Sequence, residues 1–243
     1  APGKTVELEY SFYPLEKADY FLLLNRIRRN WEVNFTIPAG GAFVPARVLG
    51  NLSDAEIKAF LTNKSVGYAM DNVPVINTIV THGSRFREVD MEPSRKFRER
   101  LAKLAPEVRS SIYFHSFIAN GSQDATEFAA DVMQTATGAV CDYAGGKYPI
   151  FLPVTGNAFA KRQEELLDAR YALGIEGIFW DEIAYSMYKY DFNPAHWDGV
   201  SAQINPKTHQ IMRKVTNVTL ATLDWRKAMV EKILGREIGR AHV

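Results

Sequence analysis

One cysteine, Cys141, is all the thiol that this 243-residue chain carries. No internal disulfide can form, and a single thiol says little about redox compartment. An excess of either charge is missing too, since 29 Lys and Arg face 28 Asp and Glu for a formal +1. That balance points to no nucleic acid and no anionic membrane as partner. No apolar run approaches the ~20 residues that span a bilayer. There is no Gly-x-Ser-x-Gly elbow, and Gly40-Gly41 and Gly145-Gly146 are too sparse for phosphate loops. His82, His115, His196 and His209 show neither His-x-His nor His-x-x-x-His spacing, so no metal and no cofactor are expected.

What is present is a large core-forming fraction, 47% hydrophobic with 12% aromatic residues. That content suits one large α/β domain. Apolar alternation predicts strands over residues 6–13, 33–37, 66–70, 111–118, 148–154 and 175–183. Helical spacing predicts helices over residues 16–31, 53–63, 93–104, 124–135, 157–173 and 219–234. Ser53 with Glu56 three residues on reads as a capping box, and Pro93 opens the strongly charged third helix. Residues 73–91 and 184–217 read as long connections. Alternating strand and helix units imply a parallel sheet, either doubly wound or a (β/α)₈ TIM barrel. Carboxylates, a histidine and amides at successive strand ends favour the barrel, with about six βα units present.

The chain starts Ala-Pro-Gly-Lys, without Met or a signal peptide, which reads as a processed product or a fragment. The compartment is open, with a secreted or periplasmic bacterial protein as one reading. Residues 238–243, Ile-Gly-Arg-Ala-His-Val, match a translation of the start of a common sequencing adapter. They are expected to be foreign, leaving residues 1–237 as a single barrel domain truncated at its C-terminus. Oligomeric state is not legible.

The informative segment is Gly174-Ile-Glu-Gly-Ile-Phe-Trp-Asp-Glu-Ile183, a short apolar strand that ends on two carboxylates. In parallel α/β proteins, groups at such strand ends face the loops that carry chemistry. Alternation puts Phe179 with Asp181 and Trp180 with Glu182, and the loop beyond the strand lets Glu182 turn toward Asp181. Paired carboxyl groups are the minimum set for glycoside hydrolysis. Tyr185, Tyr188, Tyr190, Phe192 and Trp197 crowd the following loop, with Asp198 behind them. Aromatic faces of this kind stack on the C–H faces of sugar rings. His115, Asp71, Asn72 and Asn157 stand at or near other strand ends and suit hydroxyl recognition, although Asp and Asn are also ordinary turn and cap residues.

This strand resembles the Gly-hydrophobic-hydrophobic-Asp strand of glycoside-hydrolase-like (β/α)₈ barrels. The resemblance covers about ten residues closely and selects no single family. Amylase-type members would make Asp181 the nucleophile. Substrate-assisted hexosaminidase types would make Asp181 the group that orients the acetamido and Glu182 the proton donor. The expectation is a glycosidase acting on an oligo- or polysaccharide, with Asp181 and Glu182 catalytic. His115, Asp71, Asn72, Asn157, Trp180, Tyr185, Trp197 and Asp198 would bind substrate. Alternatives are a metal-dependent barrel hydrolase built on Asp181 and His115, and a barrel that binds carbohydrate without cleaving it.

Overall fold

The computed structural model describes residues 9–33, 39–71, 75–76, 79–80, 82–88, 90–143 and 145–235. Two compact units divide the chain, Ala1–Pro38 and Ala39–Val243. In the first, helix α1 (Tyr20–Asn30) begins where the Asp19 side chain accepts the Leu22 N–H at 3.1 Å. Residues 9–13 of the expected first strand are not strand. Its remainder, residues 34–37 of the strand expected over 33–37, Asn72 and the adapter-like tail lie outside the described residues, and Val33 is not strand.

The second unit runs β1 (Gly40–Phe43), α2 (Ala46–Leu49), α3 (Asp54–Asn63), β2 (Val66–Asp71), β3 (Val75–Ile76) and β4 (Ile79–Val80). A 3₁₀ turn at Gly83–Glu88 leads to α4 (Glu92–Leu104), β5 (Arg109–His115), α5 (Asp124–Glu127), α6 (Ala158–Tyr171) and β6 (Gly177–Asp181). Then come β7 (Tyr190–Asp191), β8 (Ala202–Ile204), β9 (Ile211–Lys214), β10 (Thr216–Asn217), α7 (Val218–Ala221) and α8 (Leu223–Leu234).

Strands β1, β2, β5 and β6 form one parallel sheet in that order. Order in space therefore follows order in the chain, with no reversal of the kind that marks a doubly wound sheet. Helices α3, α4, α6 and α8 pack on one face of this sheet. Ile57 and Leu61 of α3 and Phe97 and Leu101 of α4 cover Val66 and Ala69. Leu167 and Tyr171 of α6 and Trp225, Met229 and Ile233 of α8 cover Ile112, Phe114 and Ile178. A sheet wound one way with helices on one side matches part of a TIM barrel.

Local signals set several element ends. The Ser53–Glu56 box is formed, with the Ser53 N–H donating to Glu56 at 2.8 Å and the Ser53 hydroxyl accepting the Glu56 N–H. Gly174, at φ 76°, takes the left-handed turn between α6 and β6 that a side chain would resist. The first sheet strand lies at Gly40–Phe43, where the sequence predicts no strand. A Cβ at Gly40 would stand 3.3 Å from the Ser65 carbonyl oxygen, so bare backbone suits the close approach of β1 to β2.

Two sequence expectations fail between β5 and α6. The helix expected over 124–135 stops at Glu127, and the strand expected over 148–154 does not join the parallel sheet. Instead Ile118, Val132, Asp142, Ile150, Phe151 and Pro149 form isolated antiparallel bridges. The buried Asp131 carboxylate accepts the Phe159 N–H at 2.9 Å, and Met133 N–H reaches the Ile150 carbonyl at 2.9 Å, which pulls the chain out of helix. Phe117, Met133, Cys141, Ile150 and Leu152 make a separate core there with Val218. An apolar run buried on all sides looks like a strand in sequence whether or not it pairs. The connection over 184–217 likewise carries two short antiparallel pairs, β7 with β10 and β8 with β9.

A buried ion pair anchors this second layer. Asp191 is fully buried and accepts the N–H groups of Gln134 at 2.8 Å and Asn193 at 2.9 Å. Its other oxygen meets His196 Nδ1 at 2.5 Å, while His196 Nε2 donates to the Ala130 carbonyl at 2.6 Å. Both ring nitrogens thus have acceptors, which fits an imidazolium. Burial opposes that charge, but Asp191, the Ala130 carbonyl and nearby Asp131 outweigh it and raise the His196 pKa. Stabilisation from the charged ring is therefore complete below the ordinary histidine range and disappears as pH rises through the raised value. The Tm difference between wild type and His196→Gln should be large in acid and shrink at alkaline pH. A constant difference would show that His196 acts only by packing.

Phe114 holds the helix-side core. It is fully buried, packs 5.5 Å from the Trp180 ring, and lies under the Arg170 guanidinium at 5.2 Å. Phe114→Ala should cost about 3–5 kcal/mol in urea unfolding, the range for deleting a buried aromatic ring.

Candidate functional site

The sheet register builds the site. His115 pairs with Asp181 and Tyr113 with Phe179, so these four side chains share the face away from the helices. The Tyr113 hydroxyl donates to Asp181 Oδ2 at 2.7 Å. Alternation alone would send Glu182 to the helix side with Trp180. Its backbone instead adopts φ 49°, the left-handed region, and the side chain returns to the His115 side. For a residue with a Cβ this conformation costs about 1–3 kcal/mol and persists where surroundings hold it.

Those surroundings are specific. His115 Nδ1 accepts the N–H groups of Phe117 at 3.2 Å and Ile118 at 3.3 Å. The ring proton is thereby fixed on Nε2, which donates to Glu182 Oε2 at 3.0 Å. The His115 bond lowers the Glu182 pKa; partial burial works against it, and the Ser186 hydroxyl adds to the lowering. Glu182 is accordingly held ionised.

Aromatic groups close around the pair. His82 lies 5.5 Å from the His115 ring, 5.8 Å from Tyr113 and 5.7 Å from Tyr148. Burial first, then the neighbouring His115 and Arg170, pull the His82 pKa down to about 3, so its ring is neutral. Tyr143 feels the carboxylates directly, with Glu182 the main cause of its raised pKa, then burial, then Asp181. Burial first and then Asp181 raise the Tyr113 pKa as well. On the other flank Phe179 packs against Tyr113 at 5.9 Å and Phe43 at 5.4 Å, extending the wall to β1. The result is a pair of carboxylates, Asp181 bonded to Tyr113 and Glu182 to His115, in an aromatic surround.

Of the residues expected from sequence, the structure brings Asp181, Glu182 and His115 together. Asp71 is in register with Ile112 and so faces the helices, where its Oδ1 accepts the Ala46 N–H at 3.2 Å. Asn157 is engaged in capping α6, accepting the Ala160 N–H at 2.8 Å and donating to the Leu152 carbonyl at 2.7 Å. Trp180 lies on the helix face, donating to the Ser116 hydroxyl at 3.0 Å and packing on Trp225. Tyr185 packs against the core around Phe117 and carries Lys189 over its ring. Asp198 ties its own loop together by accepting the N–H groups of Val200, Ser201 and Asn217. Trp197 donates to the Ser201 carbonyl and lines a separate groove. Tyr113, Tyr143 and His82 join the site without having been singled out for it. For Tyr113 the signal was available, because it shares alternation with His115. Among the described residues no group of three or more His, Cys, Asp or Glu is placed to hold a metal ion, and no helix is long and apolar enough to cross a membrane.

No family model matches this chain, and no curated protein matches it. Solved structures do. A family GH13_31 enzyme aligns at TM-score 0.50 and 10% identity, over 85% of this chain and 44% of that one. The α-N-acetylgalactosaminidase NagBb from Bifidobacterium bifidum, solved as a GalNAc complex, aligns at TM-score 0.46 and 12% identity, over 84% of this chain and 32% of that one. A xylosidase from Aspergillus niger aligns at TM-score 0.43 and 11% identity, over 80% and 28%. This chain spans less than half the length of each of the three. At such identity the likeness is one of fold alone.

The His115–Glu182 bond makes a measurable prediction. In His115→Phe the Glu182 carboxyl should lose its main charge-favouring contact, and its pKa should rise into or above the usual glutamate range. Carbon-detected NMR titration of the carboxyl reads this directly, and an unmoved value would show that His115 does not control it.

Proposed function

We propose that the protein is a glycoside hydrolase, cleaving a glycosidic bond in an oligo- or polysaccharide by carboxylate chemistry at Asp181 and Glu182. One observation carries the reading. The left-handed turn at Glu182 brings two sequence-adjacent carboxylates to the same face, beside rings suited to sugar C–H surfaces. In this reading the four parallel strands are part of a (β/α)₈ barrel, and the site stands at the C-terminal end of its strands.

Asp181 serves as the nucleophile or the orienting carboxylate, and the Tyr113 hydroxyl fixes its direction. Glu182 serves as acid/base. In a displacement through a glycosyl-enzyme, an Asp181 oxygen bonds the anomeric carbon as the glycosidic C–O bond breaks. The leaving oxygen takes a proton from the protonated form of Glu182, the minor form in the free site because the His115 bond favours the carboxylate, so this first half calls for prior proton uptake by Glu182. Ionised Glu182 then removes a proton from water, which attacks the anomeric carbon and frees Asp181. The His115 bond favours the ionised form and so prepares the second half of this cycle. If Asp181 orients an acetamido group instead, that group takes the nucleophile's place and Glu182 keeps its role.

Asp181→Asn should lower turnover of a cleavable glycoside by roughly two to four orders of magnitude. Its circular dichroism spectrum and Tm should match wild type. Hydrolysis at the wild-type rate would overturn the assignment. Glycan binding by wild type with no product from any glycan in a broad panel would favour a barrel that binds carbohydrate without cleaving it.

A further inference from the structure

A second groove, of about 640 Å³, lies between the segment around Gln134 and the β8–β9 hairpin. It shares no lining residue with the Asp181–Glu182 cluster. That volume is within the range of pockets that hold small ligands. Its walls alternate ring and cation. The Lys214 ammonium lies 3.9 Å from the Trp197 ring centroid, and the Arg213 guanidinium 5.3 Å from that of Phe192. Arg213 is further steadied by donating to the Ala136 carbonyl at 2.9 Å. Neither cation has a carboxylate partner among the described residues. Gln134 also lines the groove.

The groove is built rather than incidental. Its floor hangs on the buried Asp191, which holds the backbone N–H groups of both Gln134 and Asn193. Two cations left without counter-charge beside aromatic surface call for a ligand that supplies both complements. A saccharide unit bearing an acidic group does so, with a C–H face for the rings and an anion for Arg213 and Lys214. A neutral sugar would meet the rings but bring no counter-charge to either cation.

We propose that this groove is a binding site for an anionic saccharide, recognised through its carboxylate or sulfate by Arg213 and Lys214 and through its ring face by Trp197. The site acts independently of bond cleavage at Asp181. Whole-molecule attraction does not account for such binding, because the chain carries a formal charge of only +1.

The test is affinity electrophoresis of the full chain through gels holding polygalacturonate, dextran sulfate or uncharged dextran. At least one polyanion should retard the protein and dextran should not. Retardation by polygalacturonate alone identifies a carboxylate ligand, and by dextran sulfate alone a sulfate. Arg213→Gln and Lys214→Gln should each weaken retention roughly tenfold, as expected for losing one charge-assisted contact. Lys207→Gln, a cation of the β8–β9 turn outside the groove, should leave retention unchanged. Asp181→Asn should bind like wild type, so failure of the catalytic reading and failure of this one give different results. No retention by either polyanion, equal retention by dextran, or retention insensitive to both groove variants would overturn the proposal.

Discussion

At Glu182 the backbone stands at φ 49° and the side chain is bound by a histidine whose own proton is fixed by two backbone N–H groups. The chain reaches that point directly from a strand whose alternation would have carried the carboxylate to the opposite face. Reversing one residue places a second anion beside Asp181. It also favours the ionised form there, because His115 Nε2 meets Glu182 Oε2 at 3.0 Å while Nδ1 accepts two backbone N–H groups. The rings of His82, Tyr113 and Tyr143 then gather around two negative groups instead of one. Loss of the left-handed turn would leave Asp181 with Tyr113 and little else.

Such a turn is affordable only on a firm base, and the helix-side core provides it. Ile112, Phe114 and Ile178 are buried under α6 and α8, so β5 and β6 cannot slip without moving every apolar side chain to the wrong face. The same alternation that buries Phe114 presents Tyr113 and His115 to the site. Packing on one face and chemistry on the other are thus a single constraint read from two sides of the sheet.

Much of this was legible from residues alone. The carboxylate pair stood out because an apolar strand ended on it, and His115 because it stood near the end of another strand. The Ser53–Glu56 cap and most helices followed from short-range signals. Legibility failed where partners are distant in sequence. Tyr143 reaches the site because Asp142 accepts the Gly146 and Tyr148 N–H groups, bending a segment whose course depends on bridges to Ile118 and Val132. Asp71 and Asn157 were ambiguous for a physical reason, since a carboxylate or amide that recognises hydroxyls also satisfies backbone N–H groups. Here both do the latter. The run Ile150-Phe151-Leu152 resembled a sheet strand because burial on all sides erases the period that separates strand from packed loop.

The bond between His115 and Glu182 joins residues 67 apart in the chain. All of the bridged layer around Met133 and Ile150, and the whole of α6, lie within that loop. Strand β6 can dock on β5 only after this long stretch has been folded back, an entropic penalty met before the contact rewards it. The two halves of the site therefore belong to the later events of folding. A nascent chain that has completed β5 already displays Tyr113 and His115, yet holds neither carboxylate until α6 has formed and turned at Gly174.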